Sequence, residues 1–165
     1  MSVFKNGTNI MNDDYLKIDL ILPELKANNQ KQLYQVISDC LSDHTEISKD
    51  EIYSYLMEHN NSGTSSGIGN GVAILHSIHE KLHMPVVLFA RATHLIEYDS
   101  VDGDPIDLIF HIASPESDRH LHLQRLAKIS RLARNGSLCT SLRNADSKDA
   151  IQAILFDLAT DTIAA

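Results

Sequence analysis

Three short apolar runs, Gly71–His76, Pro85–Ala90 and Ile106–Ala113, occupy the middle of a chain whose flanking segments repeat apolar residues at spacings of three and four. A brief continuous apolar run has the length of a buried strand, and the three/four spacing belongs to a helix with one buried face. Lys31–Ser42 carries Leu33, Val36, Ile37, Cys40 and Leu41 on one helical side. A second helix opens at Ser48, where Ser48 and Glu51 form an S-x-x-E capping box ahead of Ile52, Tyr55 and Leu56. The segment Val101–Pro105 carries a turn signal, a helix is predicted over Arg119–Arg134, and Asn135-Gly136 breaks it. Leu138 and Leu142 suggest a short helix, and Ser147 caps a last one bearing Ile151, Ile154, Leu155 and Leu158. Helices that lead, strands that fill the middle and helices that close predict an α/β fold, a mixed β-sheet flanked by helices on both faces. The 165 residues suit one domain over 1–165, since roughly 100–200 residues form one core. A flexible N-terminal segment 1–14 and a short C-terminal tail 160–165 are expected at its ends.

Charge and hydropathy exclude several functions. With 22 acidic against 14 basic residues the net charge is −8. Phosphate backbones are bound through clustered Lys and Arg, so no nucleic-acid partner is expected. No long uncharged apolar run offers membrane insertion, and the polar N-terminus lacks the basic and apolar regions of a signal peptide, which predicts a cytoplasmic protein. Cys40 and Cys139 each sit in an apolar helical pattern rather than a C-x-x-C pair and read as buried small hydrophobes. Nine histidines direct attention to imidazole chemistry.

His76 ends its apolar run directly after a segment, Asn60–Gly71, rich in Gly, Ser and Asn. Ligands of α/β sheets bind beyond the carboxyl ends of strands, and successive amides of a glycine loop form an anion-binding nest. Phosphoryl transfer to nitrogen needs a neutral imidazole with one lone pair, its other nitrogen held, and donors aimed at the phosphoryl oxygens. The residues alone leave His76 two readings, a core histidine with satisfied hydrogen bonds or a reactive one. On the helix from Arg119, at 100° per residue, Leu126, Ile129 and Ala133 define a buried stripe; His122 falls inside it and His120 near its margin. His122 also lies in the first turn, where the helix dipole favours an anion, although capping or packing would equally place it there. His79 and His83 follow His76 with no carboxylate or cysteine to complete a metal site. His44, His59, His94, His111 and His120 are expected to be surface or local hydrogen-bonding residues. Asp99, Asp102, Asp104 and Asp107 lack the closing Glu of a calcium loop and read as part of a turn.

Ser65-Ser-Gly-Ile-Gly-Asn-Gly-Val-Ala-Ile-Leu-His76 resembles the S-T-G-I-G-x-G-[IV]-A-I-P-H signature of the fructose/mannitol/nitrogen-regulatory enzyme IIA of the bacterial phosphotransferase system. Ile96–Phe110 is similar to that family's I-x-F-x-A-x-D-G-x-P-V-x-L-[IV]-F segment, and Ala113-Ser-Pro followed by His122-Leu-x-x-Leu-Ala to its A-P…H-L-x-x-L-A stretch. Three segments in order, within a resemblance running from about Leu20 to about Leu158, are more specific than any one alone. The resemblance implies a single enzyme IIA-like domain with no cofactor and no metal. It implies a phosphoryl group accepted on His76 from an HPr-like phosphocarrier, with His122 as the second histidine and Ser66 and Gly67 binding phosphate. The acceptor would be an enzyme IIB domain or a regulated target protein. A free-standing chain fits a nitrogen-regulatory signalling component, the alternatives being a fructose/mannitol-type sugar-uptake enzyme IIA and a regulatory protein-binding module with weak or lost transfer. Two positions depart from the pattern. Leu75 stands where the family has proline, and Glu58-His-Asn-Asn61 where it has an Arg-Glu pair, leaving Arg91, Arg119 or Arg125 to supply a guanidinium from elsewhere.

Overall fold

The computed structural model describes residues 17–61 and 66–164, with residues 60, 61 and 157–164 described by their backbone alone. The expected flexible segment 1–14 lies outside the described residues. In the expected tail 160–165, the backbone stays helical to Ala164, and residue 165 lies outside the description.

Strand β1 (Leu20–Leu25) precedes helices α1 (Gln30–His44) and α2 (Lys49–Asn61). Strands β2 (Gly67–Gly69), β3 (Val72–His79), β4 (Val86–Ile96) and β5 (Ile106–Pro115) follow. A 3₁₀ turn (Glu116–Asp118) leads into α3 (Arg119–Ala133), α4 (Gly136–Asn144) and α5 (Lys148–Ala164). The five strands form one mixed sheet in the order β1-β4-β5-β3-β2, with β1/β4 and β5/β3 parallel and β4/β5 and β3/β2 antiparallel. The helix starts use short polar side chains to accept otherwise orphaned amides: Asn29 from Gln32, Ser48 from Glu51, Asn135 from Leu138 and Ser147 from Ala150.

Both faces of the sheet are buried, each under its own helices. Ala73, Leu75, Leu88, Ala90, Ile109 and Ala113 pack with Leu33, Ile37, Ile52 and Leu56 of α1 and α2. Val72, Ile74, Phe89, Phe110 and Ile112 pack with Ile129, Leu142, Ile151 and Leu155 of α3 to α5. Along β3 and β5 the two sets alternate, since successive strand residues point to opposite faces. Register between these strands is fixed from Val72↔Leu108 to His79↔Pro115 without a shift, so His76 lies beside Ile112 and Leu75 beside His111.

Strand β1 and the short β2 are additions to the sequence expectation. Pro23 and Glu24 interrupt the apolar text of β1, and β2 lies inside the stretch that its Gly and Ser content assigns to irregular loop. Strand β3 continues past His76, where the apolar run ends, to His79. Among the described residues no three His, Cys, Asp or Glu side chains cluster as metal ligands, and no helix is long and apolar enough to cross a membrane.

Candidate functional site

The brevity of β2 opens the site. It pairs β3 only at Val72 and Ala73, and the amide of Ile74 donates to the carbonyl of Ser66. Further along, this side of β3 has no strand neighbour, and His76 emerges half-buried at the rim of a cleft of about 270 Å³. Tyr34, His59, Ser66, His76 and Ser130 supply its polar lining, with Leu56, Leu75 and Leu126 among the apolar residues.

Being on the same face as Ile74, the His76 side chain meets α3. Its Nδ1 lies 3.1 Å from Nε2 of His122, and Nδ1 of His122 lies 2.7 Å from Oγ of Ser114, which follows Ala113 on β5. Arg125, one turn further along α3, donates to that same Oγ at 3.0 Å and is clamped by Asp118 at 2.7 Å. A chain of contacts therefore runs from a carboxylate through a guanidinium, a hydroxyl and an imidazole to His76. His122 is buried at 4% exposure, as its place in the apolar stripe of α3 predicts, while His120 is exposed. Burial, then the His76 ring, then Arg125 push the His122 pKa down to about 4. Burial, and secondarily His59, also lower that of His76. Both shifts favour uncharged imidazoles at neutral pH, since desolvation and a nearby cation disfavour the protonated ring.

Ser66 borders the same cleft, and its hydroxyl shares a hydrogen bond with the Tyr98 hydroxyl. Tyr98 contacts the Tyr34 hydroxyl at 3.0 Å, and Tyr34 accepts from Gln30 at 3.1 Å. Burial raises the pKa of both tyrosines, so this network is neutral. Gly67 is glycine because two backbones meet there: an added Cβ would come within 2.7 Å of the Ser100 Cα. Residues 62–65 of the expected loop lie outside the described residues.

The structure sorts the three candidate arginines. Arg91 is spent on the carbonyls of Pro23, Leu142 and Ala145, and Arg119 forms an exposed pair with Glu116. Arg125 alone of the three is linked to His76 through side chains.

Two histidines, His111 and His79, differ from their bland expectation, while His59 makes the expected local hydrogen bond, to the Tyr55 carbonyl, and also faces His76. His111 is fully buried, 3.3 Å from the Ser77 hydroxyl, and its Nδ1 has no hydrogen-bond partner among the described residues. Burial above all, with the neighbouring imidazoles, lowers its pKa to about 3. His79 is buried beside Glu51 at 3.3 Å, so the predicted capping-box glutamate turns towards β3 and Lys81. His59 stacks on Tyr55 at 4.0 Å and sets its ring 5.6 Å from that of His76. A sequence signal for this existed: Ile52, Leu56 and His59 follow one another at steps of four and three, the stripe of a buried helix face.

Known proteins agree with this architecture. A nitrogen regulatory protein of Bradyrhizobium diazoefficiens is 34% identical over 142 residues, covering 86% of this chain and 92% of its own. The crystal structure of nitrogen regulatory protein IIA-Ntr from Neisseria meningitidis superposes with a TM-score of 0.78 at 26% identity, covering 88% of this chain and 99% of that one. A complex of enzyme IIAMTL with phosphorylated enzyme IIBMTL from Escherichia coli shares the fold, with a TM-score of 0.63 at 15% identity and coverage of 88% and 97%. Residues 14–157 match the family model described as phosphoenolpyruvate-dependent sugar phosphotransferase system, EIIA 2, and the chain belongs to that family.

Proposed function

We propose that this protein is a phosphoryl carrier that accepts a phosphoryl group on Nε2 of His76 from an HPr-like phosphocarrier and acts as a nitrogen-regulatory-type signalling component. The observation that carries the reading is the 3.1 Å contact between His76 Nδ1 and His122 Nε2. One nitrogen of His76 is thereby held, and the other is left as the nucleophile. With Nδ1 protonated and donating to His122, Nε2 of His76 presents its lone pair to the phosphorus. The new N–P bond forms as the bond from phosphorus to the donor's leaving atom breaks. His122 then carries its own hydrogen on Nδ1, for which the Ser114 oxygen is the acceptor, with Arg125 on its other lone pair. A His122 kept neutral by burial and by Arg125 is suited to accept from His76 rather than compete for its proton.

Ser66 and the Gly67 backbone, at the cleft and at the close approach to Ser100, are the groups we assign to the phosphoryl oxygens. The acceptor is a regulated target protein, and the protein works in the cytoplasm. The likeness over nearly all of its length to a nitrogen regulatory protein supports the signalling branch. The second reading, sugar uptake with an enzyme IIB domain as acceptor, draws on the fold shared with the IIAMTL–IIBMTL complex. Incubating the protein with phosphoenolpyruvate, enzyme I and an HPr-like carrier, and reading its intact mass, tests the carrier reading. The added group should be labile in acid and stable in base, and a His76→Ala protein that still acquired it would sink the assignment. Offering the phosphorylated protein a IIB domain decides between the branches, with rapid discharge favouring sugar uptake.

A further inference from the structure

We propose that His59 is a phosphoryl-binding residue, whose Nε2 meets an oxygen of the group carried on His76 and takes up a proton as that group arrives. The inference deepens the phosphoryl-carrier reading and rests on it.

A phosphoryl group in transfer is stabilised mainly by positioned cations and N–H donors. Among the described residues, no lysine or arginine lines the cleft. Arg91 is bound to carbonyls, Arg119 to Glu116 and Arg143 to Asp107, while Arg125 touches Asp118 and Ser114, behind His122 as seen from His76. What does line the cleft beside His76 is a second imidazole, that of His59.

The ring of His59 is fixed in position and in tautomer. Tyr55 stacks against it at an interplanar angle of 17°, and its Nδ1 lies 3.1 Å from the Tyr55 carbonyl oxygen. A carbonyl only accepts, so Nδ1 carries the hydrogen and Nε2 is the nitrogen whose proton comes and goes. The His59 and His76 rings meet edge to face at 5.6 Å and 77°. His122 approaches His76 from α3, with ring centres 5.1 Å apart, so two imidazoles from different helices attend one nucleophile. His122 holds the nitrogen that does not react, and His59 attends the group on the one that does.

The charged and titratable surroundings of His59 are mixed. On its own helix are Tyr55, Glu51 and Glu58. From β3 come His76 and His79, with Lys81 beyond at Glu51. Arg119 and Glu116 act on Tyr55 from the start of α3, and Tyr34 and Tyr98 lie across the cleft by Ser66. Lys81 pairs with Glu51 and Arg119 with Glu116, and a dianion placed on His76 would be a new negative charge facing the His59 ring. An opposite charge favours the protonated ring. Phosphorylation should therefore raise the His59 pKa and draw one proton from solvent. By linkage the phosphorylated form gains on the unmodified one as pH falls through the range in which that proton is taken up. A fixed guanidinium would give no such dependence.

The test is a histidine ¹³C/¹⁵N NMR titration of the full chain, before and after phosphorylation at His76, combined with transfer rates for His59→Ala, His59→Gln and His59→Arg from about pH 6 to about pH 8. The His59 titration should move up by about one unit on phosphorylation. His59→Ala should transfer about 10–100-fold more slowly near pH 6.5, with the deficit shrinking at higher pH. His59→Arg should keep the rate within several-fold and flatten its pH profile relative to the wild type. His59→Gln, which keeps a donor without a charge, should fall between and should keep the wild-type melting temperature. Phosphorylation at His76 with an unmoved His59 titration, or His59→Ala and His59→Arg profiles parallel to the wild type, would overturn the inference alone. A wild type that takes no phosphoryl group on His76 would overturn the carrier reading and this inference with it.

Discussion

The two faces of β3 hold the same residue type in opposite circumstances. On the α3 face, His76 stands at an open rim with its inner nitrogen engaged by His122, which is engaged by Ser114 in turn. On the α1/α2 face, Ser77, His79 and His111 are sealed in the core, and His79 Nε2 and His111 Nδ1 have no hydrogen-bond partner among the described residues. A one-residue step along a strand switches faces, so histidines three apart in sequence, His76 and His79, lie on opposite faces and differ in access. On the proposed reading, reactivity follows from an accessible lone pair whose tautomer is set by a partner. Burial alone lowers basicity on both faces without conferring access.

The severest way to break this comparison is to remove one histidine from each face. His76→Ala should abolish phosphorylation completely, and His79→Gln or His111→Leu should leave it in place, as read by intact mass after incubation with the donors. Phosphoryl gain lost from both faces together, in folded protein, would erase the distinction. Next in size, His122→Ala should slow transfer by about 10–1000-fold, the range for one lost electrostatic stabiliser, while the protein stays folded. If His120→Ala were the damaging change instead, the helical register that buries His122 would not be the one that matters.

A stability measurement sharpens the contrast. A buried neutral His111 with a folded pKa of about 3 binds fewer protons than the unfolded chain at every pH between 3 and its ordinary 6.5. Its contribution is therefore complete above 6.5 and is lost as pH falls below that value. Between about pH 7.5 and about pH 5 the loss from this group is about 2 kcal/mol. His111→Leu should remove that part of the acid sensitivity, seen as a smaller difference in urea midpoints between the two pH values. An unchanged difference would mean that His111 is not held neutral by burial. The smallest expected effect is at Ser114→Ala, which keeps His122 and its packing but removes the oxygen that holds Nδ1. Transfer should slow by about 5–10-fold, the equivalent of one modest hydrogen bond, and histidine ¹⁵N spectra should show His122 and His76 shifting tautomer together.

Much of this arrangement was legible in the residues. Apolar runs gave β3, β4 and β5, three/four spacing gave the helices, and the stripe of Leu126, Ile129 and Ala133 put His122 inward. The alternation along Ile74, Leu75 and His76 already separates the two faces of β3. What could not be read is anything that depends on which strand lies beside which. His111 is sealed because β5 runs between β3 and β4, and sequence spacing is silent on lateral neighbours. Strand β1 hid behind Pro23 and Glu24, and β2 behind its glycines. Arg125 could not be preferred over Arg91 or Arg119, because the distinction lies in where Asp118, Ser114 and three backbone carbonyls end up.

The parallel pairing of β3 with β5 also dictates when the His76–His122 contact can form during folding. Parallel neighbours cannot be joined by a tight turn; here the whole of β4 intervenes, and the His76–His122 contact spans 46 positions of chain. Contacts so distant in sequence form late, because the loop they close must first lose its entropy. A chain emerging from the ribosome exposes His76 well before α3 exists, and at that stage it is a bare imidazole on an unpaired strand. On the carrier reading proposed above, ability to take a phosphoryl group is then acquired in one step with the completed sheet, so unfinished or misfolded molecules would be silent in whatever exchange the finished ones conduct.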